Sequence, residues 1–130
     1  MMMTASRFTV SLLAGLFALG SNLALADEEA EKKGKKVFNK CKACHFVDKD
    51  KNKVGPHLVG IFGRPAASVE GFKYSDSMKE SGIVWDEATI DEYIADPKAM
   101  VPNGKMAFVG LKKEEDRTNV IAYLMKATAQ

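Results

Sequence analysis

Only two cysteines occur in the 130 residues, Cys41 and Cys44, three positions apart. That excludes a framework of several disulfides. The chain also lacks an excess of charge of one sign, because 19 lysines and arginines face 17 aspartates and glutamates. So even a balance gives no ground for nucleic-acid binding, and any basic character must be local. No stretch alternates apolar and polar residues over a convincing length, and no hairpin turn joins two such stretches. Internal repeats, low-complexity tracts and interdomain linkers are missing too, and the length suits one domain. The single long apolar run, Phe8 to about Leu19, falls short of the roughly 20 residues a membrane span needs.

That run sits in a recognisable leader. Arg7 precedes it, Ser21 and Asn22 interrupt it, and Ala24-Leu25-Ala26 supplies a small-x-small signature. Asp27, Glu28 and Glu29 then open a strongly charged region. The pattern predicts a secretory signal peptide over residues 1–26, cleaved after Ala26, and one domain over 27–130. An uncleaved anchor is the alternative. Export implies a periplasmic location. A domain of that length is only marginally able to bury a core, and a large apolar cofactor would help it.

The periodic signals are helical. From Glu28 to Lys40, the residues Ala30, Gly34, Val37, Phe38 and Cys41 share a face. Acids at its start and lysines at its end suit the helix dipole. A short helix is expected from Ser75 to Ser81, stopped by Gly82. Asp86 can cap another, with Ile90, Tyr93 and Ile94 on one face, ending near Asp96 because Pro97 follows. A last helix, from about Glu114 to Lys126, buries Val120, Ile121 and Leu124. The expectation is an all-α fold of four to five helices. The irregular run from about Phe46 to Tyr74 is long for a compact domain and needs something to pack on.

Cys41-Lys42-Ala43-Cys44-His45 is the decisive motif. C-x-x-C-H marks covalent haem attachment. Each thiol adds across one haem vinyl group, and the spacing of three spans both vinyls. The adjacent histidine then lies under the iron. A thioredoxin-like dithiol belongs beside a βαβ pattern, which is not seen. Half a zinc site would need a second cysteine pair, and a plain disulfide leaves His45 unexplained. For the opposite side of the iron, the residues leave several donors open: Met78, Met100, Met106, Met125 and His57. Met78 and Met125 sit in expected helices, where packing is the usual role. Met106 lies in a non-helical loop, and His57 reads as a solvated surface histidine.

From residue 27 onward the chain resembles the short class I cytochromes c, the family of mitochondrial cytochrome c and bacterial cytochrome c2. Gly34-Lys35-Lys36-Val37-Phe38, the stretch Gly55 to Arg64, Gly71-Phe72-Lys73-Tyr74, Trp85, Tyr93, Asp96-Pro97-Lys98, Met106 and Ile121-Ala122-Tyr123-Leu124 follow in the family's order. The resemblance implies a cytochrome c fold around one haem c, bound through Cys41 and Cys44, with His45 and Met106 as iron ligands. It implies that Pro56 offers its carbonyl to the far nitrogen of His45, fixing the ring. Tyr74 and Trp85 would donate to a buried propionate, Arg64 would offset its charge, and Tyr93 would approach the methionine sulfur. Gly34 and Phe38 would pack on Val120 and Tyr123. Two positions depart from mitochondrial members: Gly104 replaces a usual threonine and Met78 a usual asparagine.

The implied activity is single-electron carriage, not catalysis, by a monomer. The implied donor is a cytochrome bc1-type complex, and the acceptor a terminal oxidase or photosynthetic reaction centre. Lysines 36, 40, 42, 53, 98, 105, 112 and 113 would ring the haem edge. The rivals are a haem peroxidase or gas-binding haem protein, which need an open iron position, and a fixed haem subunit of a dehydrogenase.

Overall fold

The computed structural model of the chain describes residue 15 and residues 19–129. Arg7 and most of the leader's apolar run therefore lie outside the described residues. Helix α1 runs from Leu19 to Val37, so it begins well before the expected Glu28. Leu23, Ala24, Leu25 and Ala26 are good helix formers, and no breaker separates them from Ala30. The acids at 27–29 consequently lie inside the helix, and its first turn contains none. Leu23 and Leu25 are exposed here, and the buried face begins only lower down, at Gly34 and Phe38. The last expected turn tightens into a 3₁₀ segment, Phe38–Lys40.

Helix α5, Glu114–Ala127, packs along the lower part of α1, the most extensive pairing among the described elements. Gly34 sets how close the two approach. A Cβ added there would run into the backbone carbonyl of Asn119 and lie 2.8 Å from the Tyr123 Cβ. Phe38 and Tyr123 meet with ring centroids 5.4 Å apart. Phe38, Val120 and Leu124 are buried in one cluster with Leu111. Three acids occupy the first turn of α5, which suits its dipole.

Three shorter helices lie between. Helix α2, Asp76–Glu80, is capped by Ser75, whose hydroxyl accepts from the Met78 N–H at 3.1 Å. Helix α3, Glu87–Ala95, opens on a capping box. The Thr89 N–H donates to Asp86 Oδ1, and the Asp86 N–H to Thr89 Oγ1, both at 2.8 Å. Helix α4, Pro97–Met100, was not expected from the sequence. Asp96 ends α3 and caps α4 at once, and Pro97 occupies the first helical position, where its missing N–H costs nothing. The described residues contain no strand, only an isolated bridge between Pro65 and Val84.

Contacts between elements fix the loops. Arg117 on α5 pairs with Asp91 on α3 at 2.8 Å and donates to the Leu111 carbonyl at 2.9 Å. Leu111 N–H in turn donates to the Ile94 carbonyl at 2.7 Å. The loop after α4 is thereby anchored at its far end, with Met106 in its middle.

A Gly34→Ala substitution should lower the guanidinium unfolding midpoint. The gain in helix propensity is at most about 1 kcal/mol. Overpacking costs about 1–3 kcal/mol, and backbone is the obstacle here, so the cost wins. Lys33→Ala, on the exposed side, should change stability by less than about 0.5 kcal/mol.

Candidate haem-binding site

Cys41 follows the 3₁₀ segment directly, and the Cys44 and His45 N–H groups both bond back to the Cys41 carbonyl at 3.0 Å. The motif is therefore a tight turn, with its two sulfurs and the imidazole on the wall of one cavity. The two cysteines are not joined to each other by a disulfide. Burial pushes the Cys41 thiol above its ordinary pKa, and Cys44 adds to this against the opposing pull of Lys40. No cluster of three His, Cys, Asp or Glu side chains placed to hold a metal ion occurs among the described residues.

His45 is held by its neighbours across the turn. Its Nδ1–H donates to the Pro56 carbonyl at 2.7 Å. That bond places the proton on Nδ1 and leaves the Nε2 lone pair available. Burial lowers the imidazole pKa; the Pro56 bond opposes this, while Arg64 and Lys53 add to it. A neutral imidazole with a fixed ring is what a metal ligand requires. Gly55 makes room for that ring. A Cβ there would strike the imidazole, with Nδ1 only 2.8 Å away. The Gly55 N–H also donates to the Cys44 carbonyl at 2.8 Å, tying this strip to the motif.

The cavity wall draws on nearly every segment. Leu58, Ile61, Phe72, Ile90, Phe108 and Leu124 supply apolar surface. Each residue singled out in the sequence lies on it: Cys41, Cys44, His45, Pro56, Arg64, Tyr74, Trp85, Tyr93 and Met106. Tyr74 accepts from the Val69 N–H at 3.2 Å, which leaves its own hydroxyl proton to donate. Trp85 is buried and meets Tyr93 in a tilted contact, ring centroids 5.0 Å apart, and burial raises the Tyr93 hydroxyl pKa. Arg64 donates to the carbonyls of Val59 and His57, both at 3.0 Å. Burial lowers its guanidinium pKa, against the pull of Tyr74 and Asp50.

Of the donors considered for the second side of the iron, Met78 and Met106 line the cavity. Met100, Met125 and His57 do not. His57 is also no solvated surface residue. Its side chain is 12% exposed and sits 2.6 Å from Asp50. Sequence position alone gave no sign of this, because the partner lies across a loop. Gly104 is close-packed, since a Cβ there would lie 3.1 Å from the Val101 carbonyl.

The donor set fits haem. Two thiols, a neutral imidazole and a thioether share an apolar cavity with donors from Tyr74 and Arg64 at its edge. The sequence profile of the cytochrome c family matches residues 31–128.

The chain belongs to the cytochrome c family.

Its cofactor is haem c, attached covalently through Cys41 and Cys44, and it carries electrons. Cytochrome c2 of Blastochloris viridis is 45% identical over 119 residues, covering 91% of this chain and 94% of that protein. Cytochrome c2 iso-2 of Magnetospirillum fulvum is 53% identical over 88 residues, 68% of this chain and 92% of its own. Cytochrome c-550 of Nitrobacter winogradskyi is 54% identical over 92 residues, covering 70% and 84%.

In this cytochrome, Gly55→Ala should leave haem on both cysteines yet destabilise the fold by about 1–3 kcal/mol, because the methyl group displaces the His45 ring from its hydrogen bond to the Pro56 carbonyl. Denaturation followed by haem absorbance measures it. Lys51→Ala, on the exposed part of the same loop, should cost less than about 0.5 kcal/mol.

Proposed function

We propose that the chain, exported and freed of residues 1–26, is a periplasmic one-electron carrier whose iron is held by His45 on one side and Met106 on the other. The observation that carries this reading is the His45 imidazole, neutral and fixed on Pro56, on the wall of the same cavity as Met106. Removal of the leader would also put Asp27, Glu28 and Glu29 at the start of α1, where negative charge favours the dipole. No described helix is long and apolar enough to cross a membrane.

When bound, haem supplies an iron that changes oxidation state by one electron. This chain's part is to keep everything else still. Pro56 fixes the His45 ring, so that ligand does not reorient. Met106 brings a thioether, which favours the reduced metal. The apolar wall excludes water, and burial further raises the potential. Tyr74, Trp85 and Arg64, all on the cavity wall, would offer a haem propionate two donors and a cation. Were His45 and Met106 both to bind the iron, no position would stay open, which would favour a carrier role over catalysis, because an enzyme of this kind needs an open iron position.

A cytochrome bc1-type complex is the proposed donor, and a terminal oxidase or photosynthetic reaction centre the acceptor. Support comes from lysines near the cavity. Lys40 and Lys105 line it. Several of the ring's members are held in place by backbone carbonyls. Lys53 donates to Lys42 at 2.9 Å, Lys105 to Lys73 at 3.0 Å and Lys112 to Ala95 at 3.1 Å. These bonds fix the ammonium groups and leave their charge. A positive face steers acidic partners and weakens as salt screens it.

Met106→Leu should abolish the weak far-red band of iron–sulfur ligation and let the reduced protein bind carbon monoxide. Met78→Leu should keep the band and exclude carbon monoxide. The reverse pattern would assign the sulfur to Met78. Rates of reduction by an acidic partner should fall as ionic strength rises, and stopped-flow measurement at several salt concentrations reads this directly.

A further inference from the structure

His57 stands outside the haem cavity, and nothing in the carrier reading requires it. Yet each of its polar atoms is used. Its N–H donates to Asn52 Oδ1 at 3.1 Å, and its carbonyl accepts from Arg64 at 3.0 Å. Its ring Nδ1 accepts from the Val59 N–H at 3.2 Å, and Nε2 faces Asp50 Oδ1 at 2.6 Å. The Val59 bond fixes the tautomer: Nδ1 accepts, so the proton sits on Nε2 and is donated to Asp50. The ring therefore pins residues 57 to 59 into one turn. That turn presents two carbonyls, those of His57 and Val59, and these are the two that grip the Arg64 guanidinium. Arg64 itself lines the cavity.

We propose that His57, oriented by Asp50, is a positioning residue for Arg64 and thereby helps set the reduction potential of the haem. The inference rests on the haem reading above. The physical link is short. A guanidinium held at the cavity wall disfavours the oxidised iron, which carries one more positive charge than the reduced form, and in a half-buried site screening is weak. Releasing the turn lets the guanidinium relax outward into water, and the oxidised state gains. Asn52 ties the same turn to the next loop through its bond to the Glu70 carbonyl at 3.2 Å, so the His57 ring controls the local turn and not the whole loop.

The test is a double-mutant cycle on the holoprotein, read by equilibrium redox titration. His57→Leu should lower the midpoint potential, and His57→Gln, whose amide can donate to Asp50, should recover part of the loss. In an Arg64→Gln background, His57→Leu should cause no further lowering. Hydrogen exchange at the Val59 amide should accelerate in His57→Leu, a readout independent of the haem. Equal lowering with and without Arg64, or an unchanged potential in His57→Leu, would overturn the proposal. Should His57→Leu fail to fold, Asp50→Ala serves instead, because that carboxylate is 83% exposed. Loss of that carboxylate's own charge raises the potential in either background, so the readout is the difference: the shift in the Arg64 protein should lie below the shift in Arg64→Gln, and equal shifts in the two would overturn the proposal. Mass analysis of the unsubstituted protein separates the two levels. A chain without covalent haem overturns the haem reading and this inference together, whereas haem with additive shifts overturns this inference alone.

Discussion

The bond from His45 Nδ1 to the Pro56 carbonyl, 2.7 Å long, is the contact through which the rest of the site is organised. It decides which imidazole nitrogen faces the cavity and in what direction. It can form only because residue 55 has no side chain. It also sits at the start of a connected strip. Pro56 leads to His57, whose carbonyl and ring hold Arg64 and the turn at 59. Arg64 lies beside Tyr74, and each affects the other's ionisation. One backbone segment, 55–59, thus positions both the His45 ring and the Arg64 guanidinium on the cavity wall.

The scaffold behind this strip is simple. Helices α1 and α5 lock together at Gly34, and the haem-attachment turn hangs directly from the end of α1. Placement of Cys41 is therefore inherited from helix packing, with a single 3₁₀ segment between. On the other side, the Met106 loop has no regular structure of its own. It is held at one end by α4 and at the other by Leu111 on Ile94, and Arg117 reaches across from α5 to the Leu111 carbonyl. The Met106 side chain relies on those anchors for its position on the cavity wall.

Local chemistry was legible in the sequence. The haem motif spans five residues and carries its own geometry, so no tertiary knowledge was needed to read it. Helix α5 showed its buried Val120, Ile121 and Leu124 by spacing alone, and α3 announced itself with Asp86. What stayed hidden depended on distant partners. Helix α4 is only one turn long, too short for periodicity to register. The early start of α1 was masked by the expectation of cleavage after Ala26, since a helix through 19–26 has meaning only for the unprocessed chain. His57 read as solvated because Asp50 is brought to it by a loop that has no periodic pattern. Lys53 was placed only as one of a ring of lysines, and its own partners were hidden: its ammonium lies 4.0 Å over the Phe46 ring and bonds to the Lys42 carbonyl.

The chain has two histidines, and the account gives them opposite fates. Nitrogen-15 NMR of the histidine-labelled, oxidised haemoprotein separates them in one spectrum. The account predicts that the ring nitrogens of His45 are displaced far outside the diamagnetic range by the iron, while those of His57 stay within it. Two ordinary histidine spin systems would contradict it, because no imidazole would then be bound to the metal.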